Sequence, residues 1–217
     1  MPGSGNGKIP GFLVIEGNIG AGKTSLVKKI AGTYNMKEVY ERFSDNPFLP
    51  KFYQDSERYA FPLELSFLAD RYNQINHELS SYSLFSNGVI ADYFFPKTLI
   101  FARKTLSDDE FELFSQLFHI IFKKTPRPDR IVFLWNPIEK LLSNISKRGR
   151  EYEQQISAEY LKEIHDSYVD FFNQNPVYEV QFIDCTHLDF VNNEEDYRAV
   201  CHQIFGKCPE PTVSLLR

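Results

Sequence analysis

The chain has 217 residues, 42% apolar and 24% charged, a size and balance that suit one large α/β domain with a substantial core. Its formal charge of −5 argues against a general binder of nucleic acid or of anionic membranes. Three cysteines, Cys185, Cys201 and Cys208, are too few for a disulfide framework and badly spaced for a zinc site, and no apolar run is long enough to span a membrane. A reducing, cytoplasmic setting is expected.

Residues 1–10 are polar and glycine-rich and are expected to form a flexible tail, before one domain over 11–206 and a second tail over 207–217. Phe12 to Glu16 reads as a buried strand, followed by a loop and a helix from Thr24 to about Thr33. Glu38 to Tyr40 reads as a short second strand with Glu41 at its carboxyl end, and Asp45-Asn46-Pro47 begins a loop or broken helix. Glu64 to about Ser80 is expected to be helical, because Phe67, Leu68, Arg71, Tyr72 and Ile75 share one helical face. Val89-Ile90-Ala91 reads as a strand ending at Asp92. Ser107 and Glu110 form a capping-box start for a helix to about Lys123. Ile131 to Trp135 reads as another apolar strand, and Pro137 opens a helix to about Lys147. Ser157 caps a helix to about Asn173, Glu179 to Asp184 is the last strand, and Glu194 to Phe205 the last helix.

Strands alternating with helices predict a parallel sheet covered on both faces, with ligands beyond the carboxyl ends of the strands. Glu16, Glu41, Asp92, Asn136 and Asp184 all fall at or near those ends. The aromatic helix carrying Phe111, Phe114, Leu117, Phe118 and Ile121 is read as core more than as an interface stripe.

The strongest signal follows the first strand. Gly17-Asn18-Ile19-Gly20-Ala21-Gly22-Lys23-Thr24 fits G-x-x-x-x-G-K-[ST] between a strand and a helix. Glycines let backbone N–H groups turn inward, and the helix adds its positive end to the same place. Lys23 is suited to the β- and γ-phosphates of ATP, and the Thr24 hydroxyl to magnesium. A GTPase would show an Asn-Lys-x-Asp guanine reader and a motor an Asp-Glu strand end, and the chain has neither. It does have Lys147-Arg148-Gly149-Arg150 at a helix end, which suits an arginine-rich lid over a transferring phosphate.

Together, IEGNIGAGKT, Ile100-Phe101-Ala102 and the lid Arg148-Gly149-Arg150-x-x-Glu153-Gln154 resemble the deoxynucleoside kinase family over about Phe12 to Phe205. NPFLPKFY followed by FPLELSFLADRY is most similar to the bacterial deoxyguanosine and deoxyadenosine kinases. The resemblance implies a P-loop kinase fold and a homodimer that takes ATP, magnesium and a small deoxynucleoside. It implies Glu41 as general base on the 5′-hydroxyl, and Tyr53 with Glu153 on the 3′-hydroxyl. The tyrosine ring would crowd C2′ and so favour deoxyribose. Lys23, Arg148 and Arg150 are implied to hold the transferring phosphate, although a further family arginine is Asn144 here. Asp189-Phe190 resembles the loop that packs on the ATP adenine.

Two departures carry information. Many family members place Gln where this chain has Glu64, eleven residues after Tyr53; Arg71, seven residues later, matches a base-contacting arginine. An amide donates and accepts, whereas a carboxylate only accepts. Guanine offers two adjacent donors, N1–H and the 2-amino group, so Glu64 points to deoxyguanosine. A Glu64–Arg71 ion pair that reads nothing is the competing expectation. The second departure follows the third strand, where the family's Glu-Arg-Ser becomes Ala91-Asp92-Tyr93. Register from the strand sets Asp92 opposite the magnesium-holding Glu, and register from Ile100-Phe101-Ala102 sets it opposite the arginine. Lys97 and Arg42 are the candidates to supply the lost charge.

The expected activity is transfer of the ATP γ-phosphoryl to a purine deoxynucleoside in nucleotide salvage, deoxyguanosine favoured. The alternatives are a deoxyadenosine/deoxycytidine or broad-specificity kinase, a nucleoside monophosphate kinase, and a catalytically weak nucleotide-binding regulator.

Overall fold

Strand β1 (Phe12–Gly17) is buried at every position, so its apolar side chains need cover on both faces and it takes the centre of the sheet. A computed structural model describes residues 9–41, 46–80 and 86–206. Helix α1 (Lys23–Tyr34) follows the loop and leads to β2 (Lys37–Val39). Helices α2 (Leu49–Gln54) and α3 (Ser56–Ser80) precede β3 (Val89–Ala91), and α4 (Lys97–Thr105) and α5 (Asp108–Phe122) precede β4 (Arg130–Trp135). Helix α6 (Ile138–Arg148) and α7 (Ala158–Gln174) lead to β5 (Val180–Asp184) and α8 (Glu194–Phe205). The strands run in the order β2-β3-β1-β4-β5, every pair parallel.

Side chains alternate across β1, and each set meets its own helical layer. Leu13 and Ile15 pack with Leu26 and Ile30 of α1, Leu141 and Ile145 of α6, and Val200 and Ile204 of α8. Phe12 and Val14 face the other layer with Leu68 and Ile75 of α3, Phe114 and Phe118 of α5, and Ile164, Tyr168 and Phe172 of α7. Ile9 also packs on the first layer and Pro10 is buried; the remaining residues of the two expected tails lie outside the described residues.

All five strands stand within a residue of their expected places. Helix α3 differs: it starts at Ser56, not Glu64, and carries Pro62 inside it. The proline removes one N–H and resembles a helix start, but burial of Ala60 and Leu63 keeps the preceding turns helical. The expected loop or broken helix after Pro47 is a turn followed by the six-residue α2, which Asp55 breaks from α3. Helix α4 had no expected counterpart because it begins with Lys97 and Thr98, polar residues that are nonetheless buried. The capping box at Ser107 and Glu110 is present, and Ser157 accepts the Tyr160 N–H. On α5, Phe114 and Phe118 are core and Phe111, Leu117 and Ile121 pack against it, whereas Leu113 and Ile120 are exposed. Among the described residues no helix is long and apolar enough to cross a membrane.

Because β1, β2 and β3 are parallel, Gly17, Glu41 and Asp92 are delivered to the same edge of the sheet.

Candidate functional site

At that edge lies a cavity of about 880 Å³, including its open mouth, between the glycine loop, α2 to α4 and the end of α6. Gly20 and Gly22 both have left-handed φ, 82° and 85°. A Cβ on Gly20 would fall 2.7 Å from the Leu141 carbonyl oxygen, so the loop can be laid this tightly on α6 only with glycine there. Asn144 donates to the Gly20 carbonyl at 2.9 Å, so the residue standing where the family has arginine braces the loop. Asn18 anchors it from behind, donating to Leu161 O at 2.7 Å. Lys23 Nζ folds onto the Gly17 and Asn18 carbonyls, 2.9 Å from each. Burial and then the Lys97 charge lower the Lys23 ammonium to about 8. A bound polyphosphate would restore its charged form.

The Thr24 hydroxyl donates to Asp92 Oδ2 at 2.6 Å, and Asp92 Oδ1 accepts the Glu41 N–H at 2.7 Å. Asp92 thus ties the loop to the end of β2. Burial raises its carboxyl above the usual range, which the Thr24 bond only partly offsets. A hydroxyl and a carboxylate are hard oxygen donors, and a divalent cation would relieve the cost of that buried charge. The pair therefore fits magnesium. Among the described residues no cluster of three His, Cys, Asp or Glu forms a metal cage, which an ion retaining waters and phosphate oxygens does not need.

Glu41 sits between two cations. Arg71 grips Oε1 through Nε at 2.9 Å and through Nη2, while Lys97 Nζ donates to Oε2 at 2.9 Å. Burial would raise the Glu41 carboxyl, but Lys97 and Arg71 outweigh it and hold it below the usual carboxylate range. Arg71 also donates to the Thr98 hydroxyl at 2.7 Å and lies over the Phe67 ring, 4.9 Å from its centroid. Lys97 therefore brings a cation to Glu41; Arg42 lies outside the described residues.

Glu64 does not pair with Arg71, whose guanidinium is committed to Glu41 and Thr98. Its hydrogen bond comes instead from the Thr105 hydroxyl at 3.1 Å, and it is 3% exposed. Burial raises its carboxyl to about 7, with the more distant Arg71 charge only partly opposing. Phe52, Phe67 and Phe101 wall the same space, with Tyr53 and Tyr160 at its side.

In the lid, Gly149 ends α6 in the left-handed conformation and turns Arg150 back over the cavity. Arg148 donates to Glu153 Oε2 and Arg150 to Oε1, the latter at 3.1 Å. Glu153 is 6% exposed and lines the cavity together with Tyr53.

The cavity brings together Lys23, Thr24, Glu41, Tyr53, Glu64, Arg71, Asp92, Arg148, Arg150 and Glu153, but its walls include neither Asp189 nor Phe190. The Phe190 ring is buried, and a Cβ on Gly22 would lie 2.9 Å from its Cζ, so the ring packs against the glycine loop. Asp189 accepts from Asn192 in its own exposed turn, and Asp184 accepts from Thr186. The residues that sequence reasoning missed are Thr98, Thr105 and Tyr160. Lys97, Phe101 and Thr105 recur every fourth residue along one face of α4, a signal that was legible once α4 is a helix. Tyr160 had none.

Comparison with known proteins identifies the family. The family model for deoxynucleoside kinase matches residues 13–208. The chain is 33% identical to a deoxyguanosine kinase of Bacillus subtilis, across 89% of this chain and 95% of that one. It is 31% identical to a deoxyadenosine/deoxycytidine kinase of the same organism, across 89% and 91%. A solved deoxyadenosine kinase from M. mycoides with bound dATP shares the fold, with a TM-score of 0.77, 20% identity, and coverage of 89% of this chain and 98% of that one.

Proposed function

Since the chain belongs to the deoxynucleoside kinase family, a group of ATP-dependent phosphotransferases, we propose that its preferred acceptor is deoxyguanosine, phosphorylated at the 5′-hydroxyl. The observation that carries the base choice is Glu64, a buried carboxylate in the same cavity as Glu41 whose hydrogen bond comes from one hydroxyl. An ionised carboxylate there accepts from guanine N1–H and the 2-amino group, while the adenine N1 lone pair would repel it. The relative named as a deoxyguanosine kinase supports the same choice.

In this reading the glycine loop and Lys23 hold the ATP phosphates. Thr24 and Asp92 hold magnesium, which neutralises phosphate charge. The five cationic side chains of the cavity, Lys23, Arg71, Lys97, Arg148 and Arg150, are nearly balanced by Glu41, Glu64, Asp92 and Glu153. A triphosphate of about four negative charges therefore draws Arg148 and Arg150 off Glu153. Glu153, with Tyr53, then turns to the sugar 3′-hydroxyl. Glu41 orients the 5′-hydroxyl first and takes its proton late, because two cations make it a weak base and phosphoryl transfer needs positioning more than early deprotonation. Lys97 supplies the charge of the absent family arginine, which removes the argument for a catalytically weak regulator. A phosphorylated acceptor would meet Glu41 and be repelled, which disfavours a monophosphate kinase. Two copies pair in this reading, with exposed Leu113 and Ile120 on α5 as apolar side chains such a contact would cover.

The test is kcat/KM for the four deoxynucleosides with ATP and magnesium, on wild type and Glu64→Gln. Deoxyguanosine should lead in wild type, and Glu64→Gln should move preference toward deoxyadenosine or deoxycytidine by about ten- to a hundredfold, the cost of one mismatched buried hydrogen bond. Wild type phosphorylating deoxyadenosine or deoxycytidine much faster than deoxyguanosine overturns it.

A further inference from the structure

The Thr105 hydroxyl has one proton and two acceptors within reach: Glu64 Oε1 at 3.1 Å and the Phe101 carbonyl at 3.1 Å. Only one of them can receive the proton at a time. If it goes to Glu64, the carboxylate is supported as an anion. If it goes to Phe101, the Glu64 anion loses that support, and a Glu64 that takes up a proton keeps its single O–H for the base.

We propose that Glu64 reads the base in two forms, ionised for guanine and protonated for adenine or cytosine, and that Thr105 sets the balance between them by choosing its acceptor. This rests on Glu64 being the base reader. A protonated carboxyl presents one O–H donor and one carbonyl acceptor, the same pair as the Gln amide that many family members carry. It can donate to adenine N1 while accepting from the 6-amino group, or donate to cytosine N3 while accepting from the 4-amino group. The ionised form presents two acceptors to guanine N1–H and the 2-amino group. One side chain thus serves as either reader without moving.

The surroundings allow both forms to be populated near neutrality. Glu64 is 3% exposed, so water does little to hold its charge. On its own helix Arg71 is spent on Glu41 and Thr98. Helix α4 presents Lys97, itself paired with Glu41, and Thr105. Glu41 opposes ionisation from the end of β2, and Tyr160 from α7 faces Glu64 without a charge, its own hydroxyl raised by burial and then by Tyr53 and Glu64. Lid residues Arg148, Arg150 and Glu153 close the cavity as a bonded group. With burial raising the carboxyl to about 7, the protonated form dominates below that pH and the ionised form above it.

The experiment is the ratio of kcat/KM for deoxyguanosine over deoxyadenosine between pH 6 and 8, on wild type, Thr105→Val, Thr105→Ser and Glu64→Gln. Should a single ionisation choose the reader, the wild-type ratio rises about tenfold per pH unit. Thr105→Val removes the donor that favours the anion, so its profile moves to higher pH; Thr105→Ser restores it. Glu64→Gln gives a ratio independent of pH. A flat wild-type ratio, with Glu64→Gln still changing preference, overturns the two-form reading and leaves Glu64 as base reader. No change of preference in Glu64→Gln at any pH overturns the base-reader assignment itself. A Thr105→Val profile superimposed on wild type removes Thr105 from the device. Folding of each variant is checked by its melting temperature.

Discussion

Lys97 Nζ lies 2.9 Å from Glu41 Oε2, joining a residue at the start of α4 to one at the end of β2 across 56 positions of sequence. With Arg71 on the other oxygen, this contact turns a lone carboxylate into the centre of a fixed, buried triad. It also sets how basic the carboxylate is, and so links packing to chemistry.

Removing Lys97 as Lys97→Met takes away one of the two charges that hold Glu41 low, so the Glu41 carboxyl must rise. Wild type keeps Glu41 ionised below the pH at which ordinary carboxylates titrate, and its kcat/KM should show no acid limb from this group near pH 5. Lys97→Met should show one, while Glu41→Gln loses about 10²- to 10⁴-fold in kcat at every pH. The same linkage acts on stability. A carboxyl depressed in the folded state stabilises it above the unfolded carboxylate range, and that contribution is lost as pH falls through the folded value. Acid unfolding of Lys97→Met should therefore begin at higher pH. Unchanged pH profiles in both measurements would separate Lys97 from Glu41.

Asp92→Asn can keep the Glu41 N–H on its amide oxygen and turn its NH2 to the Thr24 hydroxyl, which can rotate to accept, but it removes the charge suited to a divalent cation. The variant should melt close to wild type, yet need at least about tenfold more magnesium for half-maximal rate, the usual scale for losing one charged oxygen donor. Titration of initial rate against magnesium at saturating substrates measures it. Equal requirements in the two proteins would place the ion elsewhere.

Glu153 is expected to serve the arginines at rest and the 3′-hydroxyl during turnover. Glu153→Gln should raise KM for the deoxynucleoside about tenfold, one charge-assisted hydrogen bond, with less change in KM for ATP. A 3′-deoxy analogue supplies the control. Wild type should discriminate strongly against it and the variant only weakly. Equal discrimination by both enzymes would remove Glu153 from the sugar site.

Two glycines near each other in sequence should respond with opposite signs. Gly20→Ala forces a left-handed φ of 82° on a residue whose Cβ meets the Leu141 carbonyl at 2.7 Å, so stability should fall by about 2 kcal/mol or more and ATP affinity with it. Gly32 lies exposed in α1, where an added Cβ would meet nothing within 4 Å, and Gly32→Ala should raise stability by about 0.5–1 kcal/mol. Urea unfolding of both variants compares them directly.

Much of this protein was legible in its sequence because the signals are local. Periodicity placed all five strands, and the glycine spacing with its flanking strand and helix placed the phosphate loop. Sequence also singled out Glu41, Tyr53, Glu64, Arg71, Asp92, Arg148, Arg150 and Glu153, which the fold gathers around one cavity. Its failures were local as well. Pro62 disguised the first turns of α3, and buried Lys97 and Thr98 disguised α4, since a polar residue advertises nothing of the partner that makes its burial tolerable.

What only the tertiary structure decided is pairing. Sequence left Asp92 between two registers, and contact with Thr24 across 68 positions set it beside the phosphate loop. Sequence offered a Glu64–Arg71 pair at helical spacing, and the fold gave Arg71 to Glu41 and left Glu64 to Thr105. It likened Asp189-Phe190 to a loop that packs on adenine, and only the fold showed the Phe190 ring set against Gly22 of the phosphate loop. The reason is common to all three cases. A side chain's type and spacing are properties of the chain, whereas its charge state and partner depend on which other groups burial brings within about 3 Å, and parallel strands bring together residues that lie far apart in sequence.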